Sequence, residues 1–133
     1  MKALDTNVLV RFLTGDDVAQ AGKVVAMMRA AENRQERFHV SIPVLLELVR
    51  VLESLYKYRR EEVASAVEKM LALPVLSMEN PDVVESFLSL SAVTKADLSD
   101  ILIGVAGKAK DCETTLTFDK KAAKETGLFR ILV

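Results

Sequence analysis

Five acidic side chains occupy positions from which chemistry can be built: Asp5 in LDTN, Glu47 in VLLELVR, Asp97 and Asp100 in ADLSD, and Asp119 in TFDKK. Asp5 and Asp119 each follow a short apolar stretch of strand type, while Glu47 and the Asp97/Asp100 pair fall in or near the first turn of an expected helix. In open α/β sheets the ligand crevice lies beyond the carboxyl ends of the strands, so acids placed this way can face one cavity. Carboxylates crowded there repel and raise one another's pKa unless a divalent cation neutralises them. A donor set made of oxygen alone suits Mg²⁺ or Mn²⁺. The single histidine, His39, and the single cysteine, Cys112, cannot build a zinc site. A cation held by carboxylates is apt for phosphodiester hydrolysis, because it lowers the pKa of bound water and offsets charge on the scissile phosphate. With one histidine and no Gly-rich phosphate loop, nucleophilic triads and nucleotide-cradling motifs drop out. What is left is metal-dependent chemistry or a carboxylate that accepts phosphate.

Each acid taken alone also fits ordinary helix chemistry. Asp5 can close an Asx-turn or cap the helix after it. Asp97 can be an N-cap with Asp100 three residues on, and Asp119 can cap the segment from Lys120 to Glu125. Glu47 precedes Arg50 by three positions and can form a surface pair with it. The collective pattern carries more than its parts, since caps have no need to gather at the carboxyl end of one sheet.

The elements that must position these acids follow from periodicity. Strand-like runs are Lys2 to Leu4, Phe38 to Ile42, Val75 to Met78, Thr114 to Phe118 and Phe129 to Leu132. Helical spacing covers Val8 to Leu13, Val18 to Ala31, Pro43 to about Tyr56, Glu61 to Leu73, Pro81 to Ala92, Leu98 to Lys110 and Lys120 to Glu125. Pro43 and Pro81 open helices, Pro74 stops one, and Gly127 ends the last. The third of these helices is expected to bury Val44, Leu48, Val51, Leu52 and Leu55, leaving Glu47 at the edge of that stripe. Gly104 and Gly107 permit close packing of a helix on a sheet. Strands separated by helical crossovers imply an α/β fold: a three-layer α/β/α domain with a mostly parallel central sheet.

A chain of 133 residues without repeats or linkers is expected to form a single domain over residues 1–133. Half of it is hydrophobic and 28% charged, as in ordinary soluble proteins, and no apolar run is long enough to span a membrane. The lone cysteine excludes an internal disulfide framework and fits a reducing, cytoplasmic setting. The opening MKALDTN lacks the charged and apolar regions of a secretory signal, so secretion is not expected. A net charge of −1 offers no general attraction for nucleic acid, so polyanion binding has to rest on local basic residues and bound metal. Lys57, Arg59 and Arg60, or Lys108, Lys110, Lys120, Lys121 and Lys124, are the candidates, most of which simply face water.

Four segments taken in order, LDTNVLVRFL, LLELVRVL, ADLSDILIGVAGK and LTFDKKAAK, resemble the PIN domain, and in size and layout the VapC-type toxins of type II toxin-antitoxin pairs. The resemblance runs from Asp5 to the last strand. It implies a PIN-like α/β/α fold and a metal-dependent endoribonuclease that cleaves RNA with metal-activated water. It further implies a homodimer inhibited by a small cognate antitoxin protein. By the same resemblance Asp5, Glu47, Asp100 and Asp119 form the catalytic acidic quartet holding Mg²⁺ or Mn²⁺, with Asp97 an additional acid. Asp100 is preferred over Asp97 because DILIG matches the family's helix start, and Asn7 and Thr117 resemble residues that position acids or water. Two other functions are compatible with the residues: a receiver-like phosphoacceptor domain, and a partner-binding module without nuclease activity. A receiver expects an acidic pair after its first strand, where this chain has Asp5 alone.

Overall fold

Short β-type runs give short strands here, and a side chain at almost every helix start decides where each strand hands over to a helix. The computed structural model describes all of residues 1–133. In chain order the elements are β1 (Lys2–Ala3), α1 (Thr6–Thr14), α2 (Val18–Asn33), β2 (Phe38–Val40), α3 (Ile42–Ser54), α4 (Arg60–Ala72) and β3 (Leu76–Met78). They continue with α5 (Pro81–Val93), α6 (Leu98–Ala109), β4 (Thr115–Thr117), α7 (Lys120–Thr126) and β5 (Phe129–Ile131). Asp5, Asp17, Ser41, Asn80, Asp97 and Asp119 each accept a backbone N–H in the first turn of the helix that follows. α4 is held differently, with Glu62 reaching back to accept the Arg59 N–H at 3.0 Å. Pro43 and Pro81 sit in first turns, where the missing N–H costs nothing. Gly15 at φ 63° and Gly127 at φ 70° end α1 and α7 in the left-handed conformation that glycine adopts freely.

The chain forms two compact units, Met1–Glu79 and Asn80–Val133. All strand pairing is parallel, as helical crossovers require. The ladders are a three-stranded sheet in the order β1-β2-β3 and a two-stranded sheet β4-β5, one in each unit. The helix-rich α/β architecture with parallel strands is the α/β/α class that periodicity implied. No helix is long and apolar enough to cross a membrane.

In the first unit Lys2 pairs with Phe38 and Ala3 with His39, while Phe38, His39 and Val40 pair with Leu76, Ser77 and Met78. Alternation along β2 and β3 buries Phe38, Val40, Leu76 and Met78 and leaves His39 and Ser77 half-buried. His39 is thus a half-buried strand residue flanked by core. The buried stripe of α3 is Leu45, Leu48, Val49 and Leu52, and Leu55 is exposed. This is a rotation of the expected stripe. β-Branched Val44 and Val51 fit the helical period as well as Leu45 and Val49 do, so the pattern alone does not choose between the two faces. The rotation carries Glu47 well away from the core side of α3, into solvent.

In the second unit α6 lies close on β5. A Cβ built on Gly104 would fall 2.8 Å from Phe129 Cε2 and 3.0 Å from Leu128 Cβ, and one on Gly107 would fall 3.0 Å from Thr115 Oγ1. The two glycines remove the atoms that would hold the helix off the sheet. Val83, Val84 and Phe87 of α5, Leu98, Ile101, Leu102 and Val105 of α6, Ala122 of α7 and Phe129 of β5 are buried.

Candidate functional site

The acids are positioned by helix starts. In the first unit, Leu4 N–H donates to the His39 carbonyl at 3.0 Å, anchoring the chain to β2 immediately before Asp5 leaves the sheet. Asp5 has an extended backbone, φ −83° and ψ 162°, and its Oδ1 accepts the Thr6 N–H at 2.8 Å. The cap uses one carboxylate oxygen and leaves Oδ2 outside it. Asp5 and Asn7 are exposed on either side of buried Thr6. Glu47 lies in the second turn of α3, one turn later than expected, and is exposed.

Because the strands of this unit are parallel, Asp5, Ser41 and Glu79 all follow carboxyl ends on one sheet edge. Glu79 was not singled out by sequence. Its N–H donates to the Val40 carbonyl at 2.9 Å and its Oε1 accepts the Ile42 N–H at 3.0 Å, tying the end of β3 to the first turn of the helix that carries Glu47.

In the second unit Asp97 is exposed and caps α6, its Oδ1 accepting the Ser99 N–H at 3.2 Å. Asp100, three residues on, is half-buried in the first turn of that helix and takes part in an interaction of its own. Asp119 caps α7 with Oδ1, which accepts from Lys121 N–H at 2.9 Å and Ala122 N–H at 3.1 Å. Thr117 supports that arrangement from the end of β4: its hydroxyl accepts the Asp119 N–H at 3.0 Å. Capping by these aspartates therefore leaves a second oxygen of each outside the cap bonds. A bond to Oδ1 fixes the side-chain rotamer and points Oδ2 elsewhere, with a charge-assisted bond stronger than a neutral one.

The donors fit a hard divalent cation in kind, being carboxylate oxygens without thiolate or imidazole. Within neither unit do three or more His, Cys, Asp or Glu side chains come together as a group able to hold a metal ion.

A second polar cluster in the first unit left no trace in the sequence pattern. Tyr56 donates its hydroxyl proton to Asp16 Oδ2. Thr14 and Arg11 reach Asp16 Oδ1 at 2.9 and 3.2 Å, and Arg11 Nε donates to Gln20 Oε1 at 2.7 Å. The Tyr56 hydrogen bond, then that from Thr14, holds the Asp16 carboxyl below the usual carboxylate range, and the same bond pushes the Tyr56 hydroxyl above 10.0. The cluster fastens the α1–α2 turn to the end of α3.

A sequence profile of the PIN domain matches residues 2–127. The chain belongs to the PIN domain family. It is also similar to a VapC ribonuclease of Aquifex aeolicus (strain VF5), with 27% identity over 124 residues, covering 93% of this chain and 91% of that protein. The PIN match encloses Asp5, Asn7, Glu47, Asp97, Asp100, Thr117 and Asp119, and ends at Gly127, before β5.

Proposed function

We propose that this PIN-family chain is a metal-dependent endoribonuclease, the toxin of a type II toxin-antitoxin pair, acting as one catalytic domain over residues 1–133. Asp5, Glu47, Asp100 and Asp119, with Asp97 as an additional acid, would hold Mg²⁺ or Mn²⁺. When bound, the cation supplies an ionised water near neutral pH and offsets charge on the scissile phosphate. The chain's own part is positioning. Asp5 and Asp119 keep one oxygen fixed by helix N–H groups and offer the other. Thr117 fixes the Asp119 backbone, and exposed Asn7 is available to orient water or phosphate. The partners of such a protein are RNA, a second copy of the chain and a small cognate antitoxin, met in the cytoplasm.

The observation that carries this reading is the PIN match across nearly the whole chain, supported by similarity to a protein named a ribonuclease. Its test separates ligation from capping. Asparagine caps a helix about as well as aspartate but lacks the charge, so Asp5→Asn and Asp119→Asn should stay folded with RNA cleavage abolished. Chelation should silence the wild-type protein and added Mg²⁺ or Mn²⁺ should restore it. Undiminished cleavage by either variant, or in chelator, rejects the proposal.

A further inference from the structure

α3 carries its acid on a face that packs against nothing. Pro43, Glu47, Arg50 and Ser54 recur at helical spacing and all four are exposed, so the place of Glu47 is set by the backbone of the helix. Burial of Leu45, Leu48, Val49 and Leu52 holds one side of α3 on the core. How far the helix slides along its axis or turns about it is limited by what holds its first turn, where N–H groups have no partner within the helix. Each of those groups is accounted for. Ser41 Oγ accepts the Val44 N–H at 3.3 Å, the Ser41 carbonyl accepts that of Leu45 at 3.0 Å, and Pro43 has none to offer. The one left over is the Ile42 N–H, and Glu79 Oε1 takes it at 3.0 Å from 37 residues away. Ser41 thus ties the helix to β2, the strand it leaves, while Glu79 ties it to β3. The Glu79 backbone is itself fixed, its N–H donating to the Val40 carbonyl at 2.9 Å.

We infer that Glu79 is a positioning residue for the proposed reaction: through the Ile42 amide it sets the axial place and rotation of α3, and so the place of Glu47. The inference rests on the ribonuclease reading, in which Glu47 is one of the acids, and adds a residue that none of the sequence motifs contains. What the role asks of Glu79 is an acceptor oxygen at the right reach. Its charge adds strength to the bond and complements the positive end of the helix, but the geometry needs only the oxygen. In the sheet β2 lies between β1 and β3, so Glu79 follows a strand two spacings, roughly 10 Å, from the one that Asp5 follows. That separation suits a prop for α3 better than a ligand shared with Asp5.

The test compares wild type with Glu79→Gln, Glu79→Asp and Glu79→Ala by RNA cleavage in Mg²⁺ or Mn²⁺ and, without RNA, by hydrogen exchange at the Ile42 amide. Glutamine keeps the acceptor and the reach without the charge, aspartate keeps the charge one methylene short, and alanine keeps neither. Positioning predicts that Ala and Asp lower kcat about 10–100-fold with KM unmoved, the usual size of such support, while Gln stays near wild type. The Ile42 amide should exchange faster in Ala and Asp and remain slow in Gln. Wild-type kcat in Ala and Asp overturns the inference and leaves the ribonuclease reading intact. An inactive Gln beside an active Asp also overturns it, since the charge and not the acceptor would then be what the reaction needs. A wild-type protein that does not cut RNA overturns both readings, whatever the Ile42 amide does. Glu79 is exposed, so none of these substitutions opens a cavity, and the Gln and Asp pair decides the question even if Ala does not fold.

Discussion

The Thr117 hydroxyl accepts the backbone N–H of Asp119 at 3.0 Å, so the last residue of β4 holds the acid that follows it two positions later. Thr117 is a positioning residue under the proposed function. Thr117→Ser keeps the acceptor and should keep cleavage, while Thr117→Val removes it at nearly constant volume. Val is expected to lower kcat with little change in KM, since RNA contacts elsewhere are untouched. Outer-shell partners that orient metal ligands are typically worth about 10–100-fold, and Thr117 acts this way through the Asp119 backbone. Equal kcat for all three proteins would remove Thr117 from the site.

Gly104 makes a second expectation about stability rather than chemistry. A side chain there meets Phe129 and Leu128 at 2.8–3.0 Å, so Gly104→Val should force α6 away from β5. Overpacking of this kind costs about 1–3 kcal/mol. Gly22, with nothing within 4 Å of its built Cβ, is the control: Gly22→Ala should be neutral or stabilising through helix propensity. Urea denaturation of the two variants checks both directions.

The Asp16–Tyr56 bond gives a pH signature. The folded Asp16 carboxyl sits below its value of 3.8 in the unfolded chain, so its contribution is present above that value and is lost as pH falls through the folded pKa. The folded Tyr56 hydroxyl sits above 10.0, so its contribution is present below that value and is lost as pH rises through the folded pKa. Tyr56→Phe removes the bond, and the melting-temperature gap between wild type and variant should be flat near neutrality. It should narrow at both extremes. The group is exposed, so the gap should also shrink in high salt. A gap independent of pH would show that the hydroxyl contributes only shape.

Cation binding should be visible without any substrate. If the acids hold Mg²⁺ in the folded state alone, adding it raises the melting temperature by mass action, and Asp5→Asn or Asp119→Asn should lose that increment. Thermal shifts of identical size in all three proteins would assign the effect to general screening.

Much of this organisation was legible in sequence because punctuation is local. Pro43, Pro81 and Gly127 mark element ends through their own backbone restrictions, and Asp5, Asp97 and Asp119 begin helices by bonds to amides one to three residues away. What was not legible depends on residues distant in the chain. The tie from Glu79 to Ile42 and the bond from Tyr56 to Asp16 join residues about forty positions apart, and no periodicity encodes them. The face of α3 that is buried was misread because two apolar stripes overlap on it, and with it the placement of Glu47 at the edge of the core. The division of the strands into ladders of three and two is likewise a matter of pairing partners, which runs of apolar residues do not specify. The strand signal of Thr114 to Phe118 was correct in type, yet two of its largest side chains, Leu116 and Phe118, face water.

The one-oxygen caps make four amide protons into built-in reporters. Those of Thr6, Ser99, Lys121 and Ala122 each point at a carboxylate of the proposed site. Any event that swings or neutralises one of these acids must change the resonance frequency and solvent-exchange rate of its amide partner. Occupancy of Asp5, Asp97 and Asp119 can therefore be followed one at a time by NMR.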